Sequence, residues 1–228
     1  MRRAVRAVVF DLDGVLVDSE PVYERAFMAY LAEIGRPELA GWYPNTLGRR
    51  RADFAGALAR ALGGADPDAV VTGLRASVER AAVEPIVAMP GVPDAVRRIA
   101  AGRVVGLATS SGRPVAERVL ADLAIEDVFA AVATGDEVAR GKPDPELYRL
   151  AIARLGIDPA WALAIEDTPA GARAAKAAGL EVVAIPNAHT RGMDFAMADA
   201  VVADLHAAAE LIGARPPGRR GPGGCGPI

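Results

Sequence analysis

The sequence predicts an α/β fold, a doubly wound, Rossmann-like parallel sheet with a small α-helical domain inserted into it. Three observations carry this. Short apolar runs of strand length alternate with helix-length periodic segments from residue 90 onward. The run Val8-Val9-Phe10 leads straight into Asp11-Leu12-Asp13-Gly14, as a strand buried on both faces ends in a turn. Between Ser19 and Val83 only helical periodicity occurs.

In order, the first strand gives way after Asp18 to a helix with Phe27, Tyr30, Leu31 and Ile34 on one face, ended by Gly35. A second helix covers residues 51–62, with Phe54, Leu58, Ala61 and Leu62 as its buried stripe and Gly63-Gly64 as its stop. A third covers 68–82, entered through Asp66-Pro67. Val92, Ala95, Val96, Ile99 and Ala100 form a further helical stripe. Residues 104–109 read as a strand, 114–123 as a helix opened by Pro114, and 128–133 as the next strand. Asp144-Pro145 caps a helix that Gly156 ends, and Thr168-Pro169 caps one that Gly179 ends, after a strand at 162–165. Residues 181–185 and 200–202 are the last strands. Strands separated by helices imply right-handed parallel crossovers, and such sheets bind ligands beyond the carboxyl ends of their strands.

Composition narrows the function. A formal charge of −3 gives no electrostatic drive toward nucleic acid. The opening Met1-Arg2-Arg3 is followed by an apolar run too short for a signal peptide or a membrane span. The one cysteine, Cys225, allows no disulfide within the chain, which fits a reducing, cytoplasmic setting. Only Lys142 and Lys176 stand against 24 arginines, so each lysine is conspicuous. The last residues, from 214 to 228, are rich in Gly, Pro and Arg and read as a disordered tail.

Four polar clusters each follow a predicted strand: Asp11 with Asp13, Thr109 with Ser110, Lys142, and Glu166 with Asp167. In a parallel sheet they gather on one edge. Carboxylates so grouped repel unless a cation sits among them, and hard oxygen donors without His or Cys suit Mg²⁺ rather than zinc.

These residues carry a resemblance. Asp11-Leu12-Asp13-Gly14, Thr109-Ser110, Lys142 in Gly141-Lys142-Pro143-Asp144-Pro145, and Glu166-Asp167 in Ile165-Glu166-Asp167-Thr168-Pro169-Ala170-Gly171 resemble, in order, the four motifs of the haloacid dehalogenase-like (HAD) phosphohydrolase superfamily. The likeness is to the branch with a helical cap after the first motif. It implies a HAD-type catalytic core at residues 1–17 and 88–213 and a cap at 18–87, with hinges near 16–20 and 84–90. It also implies Asp11 as nucleophile through an aspartyl-phosphate and Asp13 as general acid, then base. Thr109, the Ser110 amide and Lys142 bind phosphoryl oxygens. Mg²⁺ is held by Asp11, Asp13 through its main-chain carbonyl, and Asp167, with Glu166 as a further ligand or support. Gly48-Arg49-Arg50-Arg51 resembles the cap's substrate-recognition loop, which makes Arg50 and Arg51 candidates to grip an anionic substrate.

The expected activity is Mg²⁺-dependent hydrolysis of a small phosphomonoester such as a sugar phosphate or phosphoglycolate. The expected partner is that small phosphorylated metabolite, with no nucleic acid, membrane or obligate protein partner. Dehalogenases of the family lack the second aspartate, and phosphonatases use a cap lysine that is missing here. The β-phosphoglucomutase branch carries a histidine where this chain has Tyr23. A phospho-accepting receiver domain, the remaining alternative, has its aspartate after the third strand and no cap.

Overall fold

The computed structural model describes residues 4–81 and 87–215. Its centre is a six-stranded, all-parallel sheet in the order β5-β4-β1-β6-β7-β8. The strands are β1 (Ala7–Phe10), β4 (Val104–Thr109), β5 (Phe129–Thr134), β6 (Ala162–Glu166), β7 (Glu181–Ala184) and β8 (Ala200–Val201). A separate antiparallel ribbon pairs β2 (Val17–Asp18) with β3 (Val87–Ala88).

Alternate residues of β1 serve opposite faces, as strand geometry requires. Val8 and Phe10 join Leu107, Leu163, Ile165 and Val183 in a core closed by α4 (Asp94–Ala100), α5 (Arg113–Asp122) and α8 (Leu205–Gly213). Ala7 and Val9 join Ala108, Ala133, Ala164 and Val182 in a second core under α6 (Glu146–Leu155) and α7 (Pro169–Ala177). The small side chains of this second face, mostly alanine, bring α7 close to the sheet.

The third core lies in the helical insert. It unites Phe27, Tyr30 and Leu31 of α1 (Glu20–Glu33), Tyr43 of a 3-10 helix (Pro37–Asn45), Phe54 and Leu58 of α2 (Arg51–Ala61), and Val70 and Leu74 of α3 (Pro67–Ala81). Among the described residues between 19 and 81 there is no strand.

Several expectations need correction. Ile34, placed in the buried stripe of α1, is 41% exposed, because it follows the last helical residue and its backbone has already left the helix. Ala61 and Leu62 are only half-buried; Ala55 and Ala59 complete the buried face of α2 instead. Asp144 lies one residue outside the cap position of α6, where its Oδ1 accepts the Glu146 N–H at 3.0 Å. The helix α8 and the β2–β3 ribbon were not anticipated. Arg215, assigned to the tail, is buried: it grips Glu181 at the start of β7 through both Nη atoms, and its carbonyl accepts from Arg103 at 2.9 Å. The tail from 216, with Cys225, lies outside the described residues, as do residues 82–86, which include 84–86 of the second predicted hinge link and residue 82, the last of the third predicted helix.

Candidate active site

The sheet order places the carboxyl ends of β4, β1 and β6 side by side, so Thr109, Asp11 and Glu166 stand on one edge. Asp11 extends the β1–β6 ladder by one hydrogen bond, its N–H donating to Ile165 O at 3.0 Å, and is then buried just past the strand end. Lys142 arrives on the loop after β5, fully buried. Its Nζ lies 2.9 Å from Asp11 Oδ1 and 2.6 Å from Glu166 Oε1.

Glu166 is the most heavily bonded group of the site. Its Oε1 accepts from Lys142 Nζ and from the Tyr148 hydroxyl at 2.8 Å. Its Oε2 accepts from the N–H groups of Asp167 and Thr168, each at 3.1 Å, and from Thr168 Oγ1 at 3.0 Å. The close packing depends on Gly171, where a Cβ would lie 1.7 Å from Glu166 Oε1. The Tyr148 ring also faces the Lys142 ammonium, 5.4 Å from its centroid.

Burial pushes the Asp11 carboxyl up to about 8, and Lys142 only partly opposes this. Asp167 is lifted well above the carboxylate range by burial and by the charges of Glu166 and Asp11. Burial pulls Lys142 down, but the facing Asp11 and Glu166 more than offset it and hold it above its ordinary value. One oxygen from each of Asp11, Glu166 and Asp167 falls within a 4.8 Å cluster, and Asp167 Oδ1 is buried with no partner among the described residues. A cation fits such a set: buried, oxygen-only and short of positive charge. Since five donors already occupy Glu166, Asp11 and Asp167 are the freer ligands.

Asp13 points elsewhere. Its Oδ1 accepts from Ser19 Oγ at 2.6 Å and its Oδ2 from Ser111 Oγ at 2.8 Å, so its carboxylate lies outside the acidic cluster. Thr109 is buried and its Oγ1 accepts the Ser111 N–H at 3.0 Å, leaving the hydroxyl hydrogen without an acceptor among the described residues. Ser110 Oγ donates to Gly48 O, 3.1 Å away on the loop before α2. Ser19, Ser111, Tyr148 and Asn187 were not singled out from the sequence; of these only Tyr148, a polar tip within the apolar stripe of α6, carried a local signal.

The two candidate arginines separate sharply. Arg50 is engaged entirely within the protein. Its Nε and Nη2 fork onto Asp53 at 2.7 and 2.6 Å, and its remaining N–H groups donate to the carbonyls of Gly135, Val138 and Ala139. All five donors are thereby used. Arg51 is half-buried near the Tyr23 hydroxyl and has no hydrogen bond among the described residues. Tyr23 itself sits 3.5 Å from Ser111 Oγ, its hydroxyl pushed far up by Asp13 and by burial.

A buried carboxyl with a lysine against it and an acidic cluster that a cation fits, all at the carboxyl edge of a doubly wound sheet, suit an enzyme that handles anionic esters. The chain belongs to the haloacid dehalogenase-like hydrolases, whose family model matches residues 5–179. It is similar to the protein CbbY of Rhodobacter capsulatus, 35% identical over 224 residues covering 90% of this chain and 96% of that protein. It is also similar to hexitol phosphatase B of Escherichia coli K12, 35% identical over 193 residues covering 81% and 85% of the two chains. Among solved structures, a mutant CbbY from Rhodobacter sphaeroides in complex with xylulose-1,5-bisphosphate superposes with a TM-score of 0.73 at 31% identity, covering 88% of this chain and 95% of that one. Among the described residues no helix is long and apolar enough to cross a membrane.

Proposed function

We propose that the chain is a Mg²⁺-dependent phosphatase of small sugar-phosphate-type esters, working through a phosphorylated Asp11. The observation that carries this is the 2.9 Å pairing of Asp11 with a fully buried Lys142, beside an Asp13 whose carboxylate is held by two hydroxyls. The relatives named as phosphatases of phosphorylated carbohydrates, hexitols and validoxylamine A 7'-phosphate support the substrate class.

In the first half-reaction an Asp11 oxygen attacks phosphorus in line, and the ester oxygen leaves with a proton from Asp13. In the second, Asp13 takes a proton from water, whose oxygen attacks phospho-Asp11. Inorganic phosphate departs and the Asp11 carboxylate is regenerated. Lys142, the Thr109 hydroxyl and the Ser110 amide offset the charge spread over the phosphoryl oxygens. Asp11, Asp167 and the Asp13 carbonyl would hold Mg²⁺, which supplies further charge stabilisation when bound. Glu166 serves that site by fixing Lys142 and the entrance to α7. The helical insert acts as a cap that excludes water, and Arg51 offers a cation to a distal anionic group. Hydrolysis is favoured over transfer within a sugar by Tyr23, whose raised hydroxyl is unsuited to proton exchange near neutrality. The one cysteine in 228 residues accords with a cytoplasmic enzyme.

The test is a panel of pentose, hexose and hexitol phosphates, phosphoglycolate and β-glucose 1-phosphate, with free phosphate and glucose 6-phosphate followed together. Phosphate release from sugar esters, abolished in Asp11→Asn, is expected. Efficient glucose 6-phosphate formation with little free phosphate, or trapping of the phosphoryl group on another residue, refutes the reading.

A further inference from the structure

Asn187 lies on the loop after β7, beside the acidic cluster and outside the four motifs. Its Oδ1 accepts three hydrogen bonds within its own turn: from His189 N at 2.9 Å, Thr190 N at 3.2 Å and Thr190 Oγ1 at 3.3 Å. The Asn187 N–H closes the turn onto Thr190 Oγ1 at 3.0 Å, and Thr190 is fully buried. Amide orientation is usually a matter of inference, but here the network decides it. A flipped amide would set its NH₂ against backbone donors and its oxygen against a carboxylate. The NH₂ therefore faces Asp167, with Nδ2 donating to Oδ2 at 2.8 Å.

Gly14 backs the same contact. Its φ is +79°, and a Cβ there would lie 2.0 Å from Asp167 Oδ2 and 2.8 Å from Asn187 Nδ2. Asp167 is thus clamped through one oxygen, while the other, Oδ1, is buried without a partner among the described residues.

We propose that Asn187 is a positioning residue for the cation site: by holding Asp167 Oδ2 from a rigid turn, it presents Oδ1 to the cation. The inference rests on the Mg²⁺ reading above. A neutral donor suits this task, because it fixes the carboxylate without adding a negative charge to a crowded acidic cluster. Hydrogen-bonded partners of this kind are worth about 10–100-fold in metal affinity.

The experiment measures Mg²⁺ binding to the full chain without substrate, by isothermal titration calorimetry, with competition against Mn²⁺ read by electron paramagnetic resonance. Three proteins are compared: wild type, Asn187→Ala, and Thr190→Val as a control that weakens the turn but leaves the amide donor. Asn187→Ala is expected to bind Mg²⁺ at least tenfold more weakly. Thr190→Val is expected to lose thermal stability yet keep its Kd within twofold. Equal binding by wild type and Asn187→Ala, or equal weakening in both variants, overturns the inference while leaving the cation reading intact. A wild-type chain that takes up no Mg²⁺ overturns that reading and the inference together.

Discussion

Replacing Arg50 by alanine should cripple the enzyme without touching the reacting atoms. Three of the five Arg50 hydrogen bonds cross from the start of α2 to the loop that ends in Lys142, at 2.8, 2.7 and 2.9 Å to Gly135, Val138 and Ala139. The side chain is 13% exposed, so solvent reclaims part of the loss. At about 1 kcal/mol net for each crossing bond, the contact between cap and loop weakens by about 3 kcal/mol, roughly 100-fold in the closed-to-open ratio. Arg50→Lys should recover little, since an ammonium cannot reproduce the fork. The other side of the contact offers an independent perturbation: a Cβ at Gly141 would lie 2.2 Å from Asp53 Oδ2 and 2.5 Å from Arg50 Nε, so Gly141→Ala should push the same surfaces apart. The assay is kcat and KM on the best sugar phosphate, with small-angle scattering to follow opening of the cap and thermal melts to follow stability. A fall of about 100-fold in kcat/KM with an expanded particle is expected. Variants of Arg50 and Gly141 that stay within threefold of wild type and equally compact refute the reasoning.

Three other outcomes follow from the buried charges. Lys142→Met leaves Asp11 and Glu166 facing each other without a counter-charge and should cost about 3–5 kcal/mol in urea unfolding; an unchanged midpoint would count against the ion-pair geometry. Glu20, buried under Tyr43, has its carboxyl raised from 4.5 to about 7, chiefly by burial. The folded chain therefore binds the extra proton between those values, and stability falls as pH rises through that window, by about 3 kcal/mol in all. Glu20→Gln should melt higher than wild type at pH 8 and close to it at pH 5; a gap that does not grow with pH refutes this. Removing divalent cations with EDTA should abolish turnover, and Mg²⁺ at a hundredfold excess over its Kd should stabilise the fold by about 2.7 kcal/mol, visible as a higher Tm. Full activity in EDTA would sink the cation site.

The strands and the residues at their ends were legible because apolar runs and polar breaks are local signals. The reading from Val8 to Asp13 needed only the hydrophobic run and the turn, and strand order alone puts Thr109, Asp11 and Glu166 on one edge. What stayed hidden depends on side chains meeting across the fold. Ser19 and Ser111 look like ordinary turn hydroxyls until both are seen bonded to Asp13. Asn187 reads as a loop residue until the ends of β6 and β7 lie side by side. Three adjacent arginines suggest an anion site, and nothing local in the sequence shows that the Arg50 guanidinium fork is taken up by Asp53 and three backbone carbonyls. The α8 helix was missed because Ala207, Ala208 and Ala209 give little apolar contrast between its faces. Arg215 reads from the sequence as part of the Gly/Pro/Arg-rich tail, and only its bond to Glu181 reveals it as a buried residue of the core.

The two-residue ribbon has a consequence for how such a protein is assembled over evolutionary time. Val17 faces Ala88 and Asp18 faces Val87, so the chain leaves and re-enters the sheet-bearing part through adjacent strands, spaced about 4.8 Å apart. A pair of strands that close is also what a two-residue turn connects. The whole helical insert is therefore a cassette: a gene could lose it, exchange it or lengthen it at this seam without altering the register of any strand in the main sheet. The insert can then vary while Asp11, Lys142 and Glu166 keep the direct pairings that join them within the sheet-bearing part.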